Sequence, residues 1–331
     1  MTRVSVALCT HNGARFVGAQ VQSILLQSRV PEEIVLSDDA STDDSVDIVE
    51  RAVAGTGVHL VVLRNPTALG YVANFEQALA ATTGDLVALC DQDDVWHPNR
   101  IERALELFEA DPELLLVHSD ARLVDADGVP LGHTLFDALG LSPQERAEAA
   151  SGDELAVLLR RNLVTGATAM VGRRAVDLAM PFPEHWVHDE WLAMIAVSAG
   201  TGILLDESLV DYRQHGSNQI GVTRLGLRGK IGRILEPRNG RNVYLEARAR
   251  VLANRLHALG DAVRPDAVRR VDEKLEHLSV RATFARSRWR RIRPVLREVR
   301  TGRYARYSRG WGDVLRDLLQ PAGVLPGVGG E

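Results

Sequence analysis

Apolar and polar positions alternate in blocks over the first 125 residues of the chain. Four short, mostly apolar runs are each followed by a longer segment whose apolar positions recur at helical spacing. The runs are VSVALC (4–9), EIVLSD (33–38), VHLVVLRN (58–65) and DLVALCD (85–91). Continuous Val, Leu and Ile in strands that alternate with helices are typical of a mostly parallel sheet covered on both faces. The pattern therefore predicts an α/β fold of the nucleotide-binding type.

Polar clusters follow three of these predicted strands: THN (10–12), DDAS (38–41) and DQDD (91–94). In open α/β sheets ligands bind beyond the carboxyl ends of the strands. Three polar strand ends at one edge of a sheet favour a binding site over three independent surface loops.

The DQDD cluster places Asp91, Asp93 and Asp94 together directly after a buried strand. Clustered carboxylates attract a hard divalent cation, Mg²⁺ or Mn²⁺, which often keeps positions open for phosphate oxygens. Such a cation neutralises charge on a departing diphosphate. The alternative is a solvated acidic loop that caps the following helix.

The remaining chain divides by pattern and by charge. Residues 126–220 mix strands and helices, whereas residues 221–318 are helical and rich in arginine, and 319–331 read as a flexible Gly/Pro tail. Residues 1–220 carry 14 arginines against 33 acidic residues, a net charge of −19, while residues 221–331 carry 25 basic and 11 acidic residues, net +14. A split of this kind indicates two regions with different roles.

The blocks VALCTHNGARFVGAQVQSILLQS, EIVLSDDASTDDSVDIV, NPTALGYVANFEQAL and LVALCDQDDVWHPNRI together resemble the family 2 glycosyltransferases, which have the GT-A fold. The likeness covers about residues 3–125 and continues more loosely to about 220. With GYVANF and YRQHGSN, the form DQDDVW is similar to the bacterial rhamnosyltransferase-like branch. The resemblance implies a GT-A domain over 1–220, with a nucleotide-sugar half (1–125) and an acceptor and catalytic half (126–220).

The resemblance also implies roles for individual residues. The expected donor-nucleotide contacts are Thr10, His11, Asn12, Asp38, Asp39, Asn74 and Asp91. The expected metal ligands are Asp93 and His215, and Asp94 could replace Asp93. A lone histidine in a loop is also compatible with an ordinary surface residue, so this interpretation of His215 stays open. The residues expected near the acceptor or the diphosphate are Thr165, Gly166, Trp186, Trp191 and Arg213. The small-residue stretch around Gly166 is equally compatible with a tightly packed strand.

The segment WVHDEW (186–191) contains the candidate base. Inverting sugar transfer needs a group that takes the proton of the acceptor hydroxyl, and a carboxylate between two tryptophans has its pKa raised by burial. Asp189 matches the base of the family, but His188 stands where an acidic residue is more usual, so Glu190 is kept as the fallback. The alternative role for Asp189 is a helix N-cap.

The arginines and aromatics of the C-terminal region allow three interpretations: contact of residues 278–310 with an anionic membrane surface, packing or homodimer contact, or nucleic-acid binding. The acidic first 220 residues argue against nucleic acid. The chain has no run of eighteen apolar residues and no signal-peptide pattern, and its two cysteines do not suggest a disulfide framework. We therefore expect a cytoplasmic protein, with peripheral attachment to the inner face of the membrane left open.

The expected activity is inverting, Mg²⁺- or Mn²⁺-dependent transfer of a sugar from a dTDP- or UDP-linked donor, with dTDP-rhamnose as the specific guess, to a hydroxyl of a cell-surface glycan or a lipid-linked acceptor. Two rivals remain at this stage. One is a non-catalytic nucleotide-sugar-binding protein, for which a base at Asp189 is superfluous. The other is a nucleotidyltransferase, although CTHNGARF is a poor phosphate loop.

Overall fold

The computed structural model of the protein describes residues 2–215 and 240–321. The predicted boundary between 220 and 221 and the start of the basic region up to residue 239 therefore lie outside the described residues. The same holds for the predicted tail from residue 322 onward.

The chain forms two compact units. The first comprises Met1–Glu154 and Leu163–Thr223, and the second comprises Leu155–Asn162 and Arg224–Glu331. A short segment between residues 154 and 163 thus groups with the C-terminal unit, which the sequence pattern did not indicate.

The first unit contains a nine-stranded sheet. Its strands are β1 (Val4–Thr10), β2 (Glu33–Asp38), β3 (His59–Arg64), β4 (Leu86–Cys90), β5 (Val95–Trp96), β6 (Leu114–Val124), β7 (Pro130–Thr134), β8 (Ala169–Gly172) and β9 (Thr201–Arg213). The order across the sheet is β3-β2-β1-β4-β8-β6-β9-β5, and β7 pairs with β6. The four strands predicted from the first 125 residues form one parallel half. Beyond them the sheet is mixed, because β8 runs antiparallel to both β4 and β6.

Helices alternate with these strands. Over residues 2–215 they are α1 (Val17–Leu25), α2 (Ser45–Val53), α3 (Tyr71–Ala81), α4 (Arg100–Ala110), α5 (Leu135–Leu139), α6 (Pro143–Ala150), α7 (Glu154–Arg160), α8 (Arg173–Ala179) and α9 (His188–Ala199). The apolar faces of α1, α2, α4 and α5 join the strands in one core: Val46, Val49 and Val53 of α2 are buried at helical spacing, and every residue of β1, β2 and β4 is buried. The predicted α/β architecture, with a parallel first half, is confirmed.

Two polar residues hold the loop between β2 and α2. The Ser41 hydroxyl donates to the Asp38 carboxylate at 2.5 Å. The N-cap of α2 is Asp44, without a side-chain bond, and the carboxylate of Asp43 accepts the N–H of Ser45, the first residue of the helix, at 3.0 Å. Ser41 therefore stabilises the loop, and Asp43 the start of the helix.

The described part of the second unit is helical. Besides α7, which belongs to it from Leu155 onward, it contains α10 (Arg241–Leu259), α11 (Pro265–Ala282), α12 (Arg288–Arg300), α13 (Arg303–Tyr307) and α14 (Trp311–Leu319). Arg281 is fully buried and ion-paired with Asp317 at 2.6 Å, so part of the arginine content serves packing within this unit. In the described residues no helix is long and apolar enough to cross a membrane.

Candidate functional site at the carboxyl ends of the parallel strands

The pairing of the strands brings the predicted polar clusters to one edge. Because β1 lies between β2 and β4, Thr10 is in register with Asp38, and Leu8 with Cys90, the residue before Asp91. The buried Thr10 hydroxyl donates to the Asp38 carboxylate at 2.8 Å. The ends of these three strands therefore form one polar surface, as the sequence predicted.

Asp39 organises the loop that precedes α3. Its two carboxylate oxygens accept the backbone N–H groups of Leu69 and Gly70 at 2.6 and 2.9 Å, and its carbonyl oxygen lies 2.6 Å from Nδ1 of His11. The carboxylate thus fixes the segment around Gly70, whose φ of +86° suits glycine.

Asn12 and Asn74 take different places around this edge. Asn12, with a φ of +50°, is exposed, and its side-chain oxygen accepts the Thr42 N–H at 2.9 Å. Asn74 is buried and forms two hydrogen bonds with Ser37. The Ser37 hydroxyl donates to the Asn74 side-chain oxygen at 2.7 Å, and the Asn74 amide donates to the Ser37 carbonyl at 2.9 Å. Asn12 therefore belongs to the surface of the site, and Asn74 to the polar network beneath it.

The DQDD segment meets the end of β9. Oδ2 of Asp93 lies 2.6 Å from Nε2 of His215, although the two residues are 122 positions apart. Asp94 is buried: its Oδ1 accepts the Arg213 N–H at 3.0 Å, while its Oδ2 has no hydrogen-bond partner in residues 2–215 and 240–321. Among the expected metal ligands, the structure thus pairs Asp93 with His215 and turns Asp94 toward the protein interior.

Electrostatic strain is concentrated in this acidic cluster. Burial, and then the charges of Asp93 and Asp189, raise the pKa of Asp91 to about 7. Burial, and then the charges of Asp93 and Asp91, raise the pKa of Asp94 as well. The charge of Asp189 contributes to the raised pKa of Asp91, so the candidate base lies within electrostatic range of the DQDD segment.

A buried cation, Arg100, lies behind the cluster and was not expected from the sequence. Its guanidinium packs over the Trp96 ring at 3.7 Å and points at the carbonyls of Leu89 and Ala169, each at 3.4 Å. Burial lowers the pKa of Arg100 to about 10, so the group stays protonated, and its charge lowers the pKa values of Asp91 and Asp94. Part of the positive charge that three neighbouring aspartates require is thus supplied by the protein.

The donor atoms present fit a hard divalent cation held by few protein ligands. In the part of the chain that the structure describes, no three His, Cys, Asp or Glu side chains converge as a complete metal centre. Asp93 and His215 nevertheless offer an oxygen and a nitrogen 2.6 Å apart. Mg²⁺ and Mn²⁺ accept such sparse sets because waters and phosphate oxygens complete their coordination.

Asp189 lies in the first turn of α9. Its Oδ2 accepts the Gly166 N–H at 3.0 Å, and its Oδ1 accepts the Glu190 N–H at 2.6 Å. Burial raises the pKa of Asp189 to about 6, against the opposing effect of these N–H groups. The N-cap of α9 is Val187, without a side-chain bond, so conventional capping is not what engages the Asp189 carboxylate.

His188 packs tightly beside Asp189. The ring is buried, stacks on Phe75 with 4.0 Å between ring centroids, and neither of its nitrogens forms a hydrogen bond with the described residues. Burial lowers the pKa of His188 to about 3, so the ring is neutral at ordinary pH. A Cβ at Gly166 would lie 2.9 Å from Nε2 of His188 and 3.6 Å from Cβ of Asp189. Glycine at 166 is therefore what lets the turn before β8 approach Asp189.

The other residues expected near the acceptor differ in burial and in what they contact. Trp191 is almost fully buried, and its indole N–H donates to the Ala179 carbonyl at 2.8 Å. Trp186 is buried against it with ring centroids 5.3 Å apart, and it also lines an open groove. Thr165 precedes a short 3₁₀ turn, Gly166–Thr168, whose Thr168 N–H returns to the Thr165 carbonyl at 3.0 Å. Trp191 is thus a core residue, whereas Trp186 reaches a surface.

Arg213 braces the DQDD segment from the end of β9. Its side chain donates to the backbone carbonyls of Asp93 and Ala126 at 2.8 and 2.9 Å. The guanidinium lies 5.1 Å from the centre of the Phe16 ring, which in turn stacks on His215 at 4.9 Å. Phe16 carried no chemical signal in the sequence beyond its place four residues after THN.

Gln92, which stands between Asp91 and Asp93 in the DQDD segment, is a third residue that the sequence did not single out. Its side-chain oxygen accepts the His11 N–H at 2.8 Å, and its amide donates to the His11 carbonyl at 3.2 Å. A Cβ at Gly13 would lie 2.1 Å from the same oxygen. Gln92 therefore ties the loop after β4 to the loop after β1.

Two named relatives are similar in sequence to part of this chain. EpsE of Bacillus subtilis (strain 168) is 31% identical over 127 residues, 38% of this chain and 46% of EpsE. TuaG of the same organism, whose name assigns it to teichuronic acid biosynthesis, is 27% identical over 212 residues, 63% of this chain and 78% of TuaG. Three curated relatives, EpsE among them, are matched over only 36%, 46% and 59% of their own length.

Solved structures share the fold. TarS residues 1–349 from S. aureus, in complex with UDP-GlcNAc, aligns with a TM-score of 0.58 at 16% identity, over 96% of this chain and 90% of TarS. The mannosyltransferase PcManGT from Pyrobaculum calidifontis, with GDP-Man and Mn²⁺, aligns with a TM-score of 0.53 at 18% identity, over 96% and 85%. At these identities the likeness establishes the fold, which is GT-A.

A family model identifies the family of the chain. The model of glycosyl transferase family 2 matches residues 5–170, from β1 through the strand ends, the DQDD segment and Gly166 to β8. Because this match spans half of the 331 residues, the chain belongs to glycosyl transferase family 2.

Proposed function

We propose that the protein transfers a sugar from a nucleoside-diphosphate donor to an acceptor hydroxyl with inversion at the anomeric carbon, and that Asp189 is the base. The observation that carries this proposal is the Asp189 carboxylate: it is held by the Gly166 N–H and lies close enough to Asp91 to influence its pKa. With a pKa of about 6 it is ionised at neutral pH yet still basic enough to accept a proton.

The proposed reaction is a single displacement. Asp189 takes the proton of the acceptor hydroxyl as that oxygen forms a bond to the anomeric carbon. The bond between the anomeric carbon and the phosphate oxygen breaks on the opposite face, and the nucleoside diphosphate leaves with the electron pair. Glu190 follows Asp189 in the first turn of α9 and remains the alternative base.

The donor is proposed to lie along the strand ends in the order base, ribose, diphosphate. Thr10, His11, Asn12, Asp38 and Asp39 would surround the base, with Asn74 supporting them from below, and Asp91 would face the ribose. Asp93 and His215, with Asp94 as the alternative, would hold Mg²⁺ or Mn²⁺. When bound, such an ion stabilises the charge of the leaving diphosphate. Arg213 would act through its bonds to the backbone of the DQDD segment.

The acceptor is proposed to enter through the groove beside Trp186. This groove, of about 440 Å³, is bounded by the start of α3 and the loop before α9. Tyr71, Phe182 and Trp186 offer flat apolar surfaces, and Glu76 and Glu184 offer hydrogen-bond acceptors for hydroxyl groups. Aromatic faces with a few polar groups are what a sugar ring requires of a binding site.

For the donor and the acceptor we propose chemical classes. The solved structures of TarS and PcManGT contain UDP-GlcNAc and GDP-Man. The names of TuaG and TarS do not mention rhamnose. We therefore propose a UDP-sugar as a second candidate donor, in addition to the dTDP-rhamnose suggested by the sequence. The relation to TuaG supports a cell-surface polysaccharide as acceptor. A lipid-linked acceptor would lie at a membrane, where the contact predicted for residues 278–310 would be useful.

The first experiment is calorimetric titration of UDP, dTDP, GDP and CDP, each with and without Mn²⁺. Metal-dependent binding of one nucleotide is expected and identifies the donor class. Incubation with the matching sugar donors then separates the reactions: nucleoside diphosphate is the product of glycosyl transfer, and pyrophosphate that of nucleotidyl transfer. Anomeric coupling constants of the product test inversion, and a retained configuration contradicts the single displacement.

A further inference from the structure

The outward faces of α12 and α14, in the C-terminal unit, form an exposed surface of unusual composition. The two helices pack antiparallel, since the Arg291 guanidinium of α12 donates to the carbonyls of Asp317 and Gln320 at 3.2 and 2.7 Å. Nearer the other end, Val295 and Val314 share a hydrophobic cluster. Their opposite faces are therefore turned outward from the same small core.

Large apolar side chains lie on both outward faces. On α12, Trp289 is 81% exposed and Leu296 is 48% exposed, and these positions are i and i+7. On α14, Trp311 is 71% exposed, and Leu315 and Leu319 follow at i+4 and i+8, also exposed. These five exposed tryptophan and leucine side chains, in one stripe on each of two neighbouring helices, exceed the singly scattered apolar residues of an ordinary monomer surface.

The arginines between these side chains lack acidic partners. Arg288, Arg290, Arg293, Arg297 and Arg300 are exposed, and none forms an ion pair or side-chain hydrogen bond with the described residues. The one acidic residue between 286 and 300 is Glu298, which is buried and lies 2.7 Å from His277.

Exposed arginines on other helices of the same unit behave differently. Arg250 is paired with Glu246 on α10, and Arg269 and Arg306 are both paired with Glu273. The absence of acidic partners is thus a property of the α12 face and not of arginines throughout this unit.

We propose that this surface, which we call the docking face (Trp289, Arg293, Leu296, Arg297, Arg300, Trp311, Leu315 and Leu319), binds the surface of a membrane that contains anionic lipids. Unpaired guanidinium groups complement lipid phosphates, and tryptophan prefers the boundary between headgroups and acyl chains. A second copy of the chain suits the face less well, because a two-fold contact would place the same unpaired arginines against each other. The proposal is independent of the sugar-transfer reaction, since no residue of the candidate active site belongs to the docking face.

The test is co-sedimentation of the full chain with vesicles of phosphatidylcholine, alone or mixed with phosphatidylglycerol. We expect binding to the anionic vesicles only, weakened by added salt, with a blue shift of tryptophan fluorescence. The variant R293Q/R297Q/R300Q should lower the affinity on the order of 100-fold, since each arginine near the surface contributes several-fold. W289S/W311S should abolish the blue shift and weaken binding.

The matched control is R250Q/R269Q/R306Q, which removes the same charge from ion-paired arginines of the same unit. It should bind far more tightly than the docking-face triple variant. Circular dichroism and thermal melts establish that each variant is folded. Failure of the wild-type chain to sediment with anionic vesicles overturns the proposal, as does an equal loss of affinity in both triple variants. A change from dimer to monomer in W289S/W311S, with vesicle binding unchanged, would reassign the face to self-association.

Discussion

Oδ2 of Asp93 and Nε2 of His215 lie 2.6 Å apart, joining the loop after β4 to the end of β9 across 122 positions of sequence. Both groups are partly buried, and Phe16 stacks on the imidazole at 4.9 Å. Two potential ligands are therefore held side by side before any cation binds, which limits the entropy lost when a metal and a diphosphate arrive.

This pair predicts metal-dependent donor binding. Asp93→Asn should weaken Mn²⁺-dependent binding of the nucleoside diphosphate by more than about tenfold, because a charged ligand is lost. His215→Gln should act in the same direction, with binding measured by calorimetry. His59→Gln, at an exposed histidine of β3, is the control and should leave affinity unchanged. Equal nucleotide binding by wild type and Asp93→Asn would remove Asp93 from the metal site.

The base assignment predicts a separation of binding from turnover. Asp189→Asn should lower kcat by about 10²- to 10⁴-fold, because the amide cannot take up the acceptor proton. Nucleotide affinity should change little, since Asp189 is not among the proposed nucleotide ligands. Glu190→Gln is the matched control and should retain most activity. If Glu190→Gln is the inactive variant instead, the two residues exchange roles.

The raised pKa of Asp189 predicts the acid limb of the pH profile. The carboxylate must be ionised to act as base, so activity should rise with pH through about 6 and level off above it. Below that point kcat/KM should fall by about tenfold per pH unit, because kcat/KM reports the ionisation of the free enzyme. The measurement is kcat/KM for the acceptor against pH. A profile that rises only above pH 8 would assign the step to a different group.

The parallel half of the fold could be predicted because its signals are local. Strands β1 to β4 are short continuous apolar runs, and the polar residues that end them must share an edge once the strands are parallel. The prediction extended correctly to the proximity of Thr10 and Asp38, which bond at 2.8 Å. Neighbouring strands fix these distances without any information from the rest of the chain.

Contacts between distant segments could not be predicted in the same way. Arg100 begins a helix and looks like a surface residue in sequence, yet its guanidinium is buried behind Asp91 and Asp94. Arg213 was expected at donor phosphates, and the structure shows it donating to the backbone carbonyls of Asp93 and Ala126. The predicted contact segment, 278–310, did not include the exposed stripe of α14. That stripe could not be found from the sequence, since only the packing of α14 on α12 shows which face of α14 is turned outward.

The buried cation Arg100 leads to a prediction about stability. Arg100→Met keeps much of the side-chain volume but leaves Asp91 and Asp94 without a neighbouring positive charge, which should cost about 3 to 5 kcal/mol of unfolding free energy at neutral pH. The sign with pH follows from the raised pKa of Asp91, which is about 7 in the folded protein against about 3.9 in an unfolded chain. Between these values the folded state binds more protons, so stability falls as pH rises.

Removing Arg100 raises both carboxyl pKa values further and steepens this fall. The deficit of Arg100→Met, measured by urea unfolding against wild type, should therefore be smaller at pH 5 than at pH 8. Arg103→Met is the control, because Arg103 also lies on α4 but pairs with Glu207 at the surface, where an ion pair contributes about 0 to 1 kcal/mol. A deficit of Arg100→Met that is the same at both pH values would show that the guanidinium contributes by packing over Trp96 alone. A deficit that shrinks at low pH would establish Arg100 as the internal counter-charge of the DQDD segment, with the divalent cation required only for the charge that the diphosphate adds.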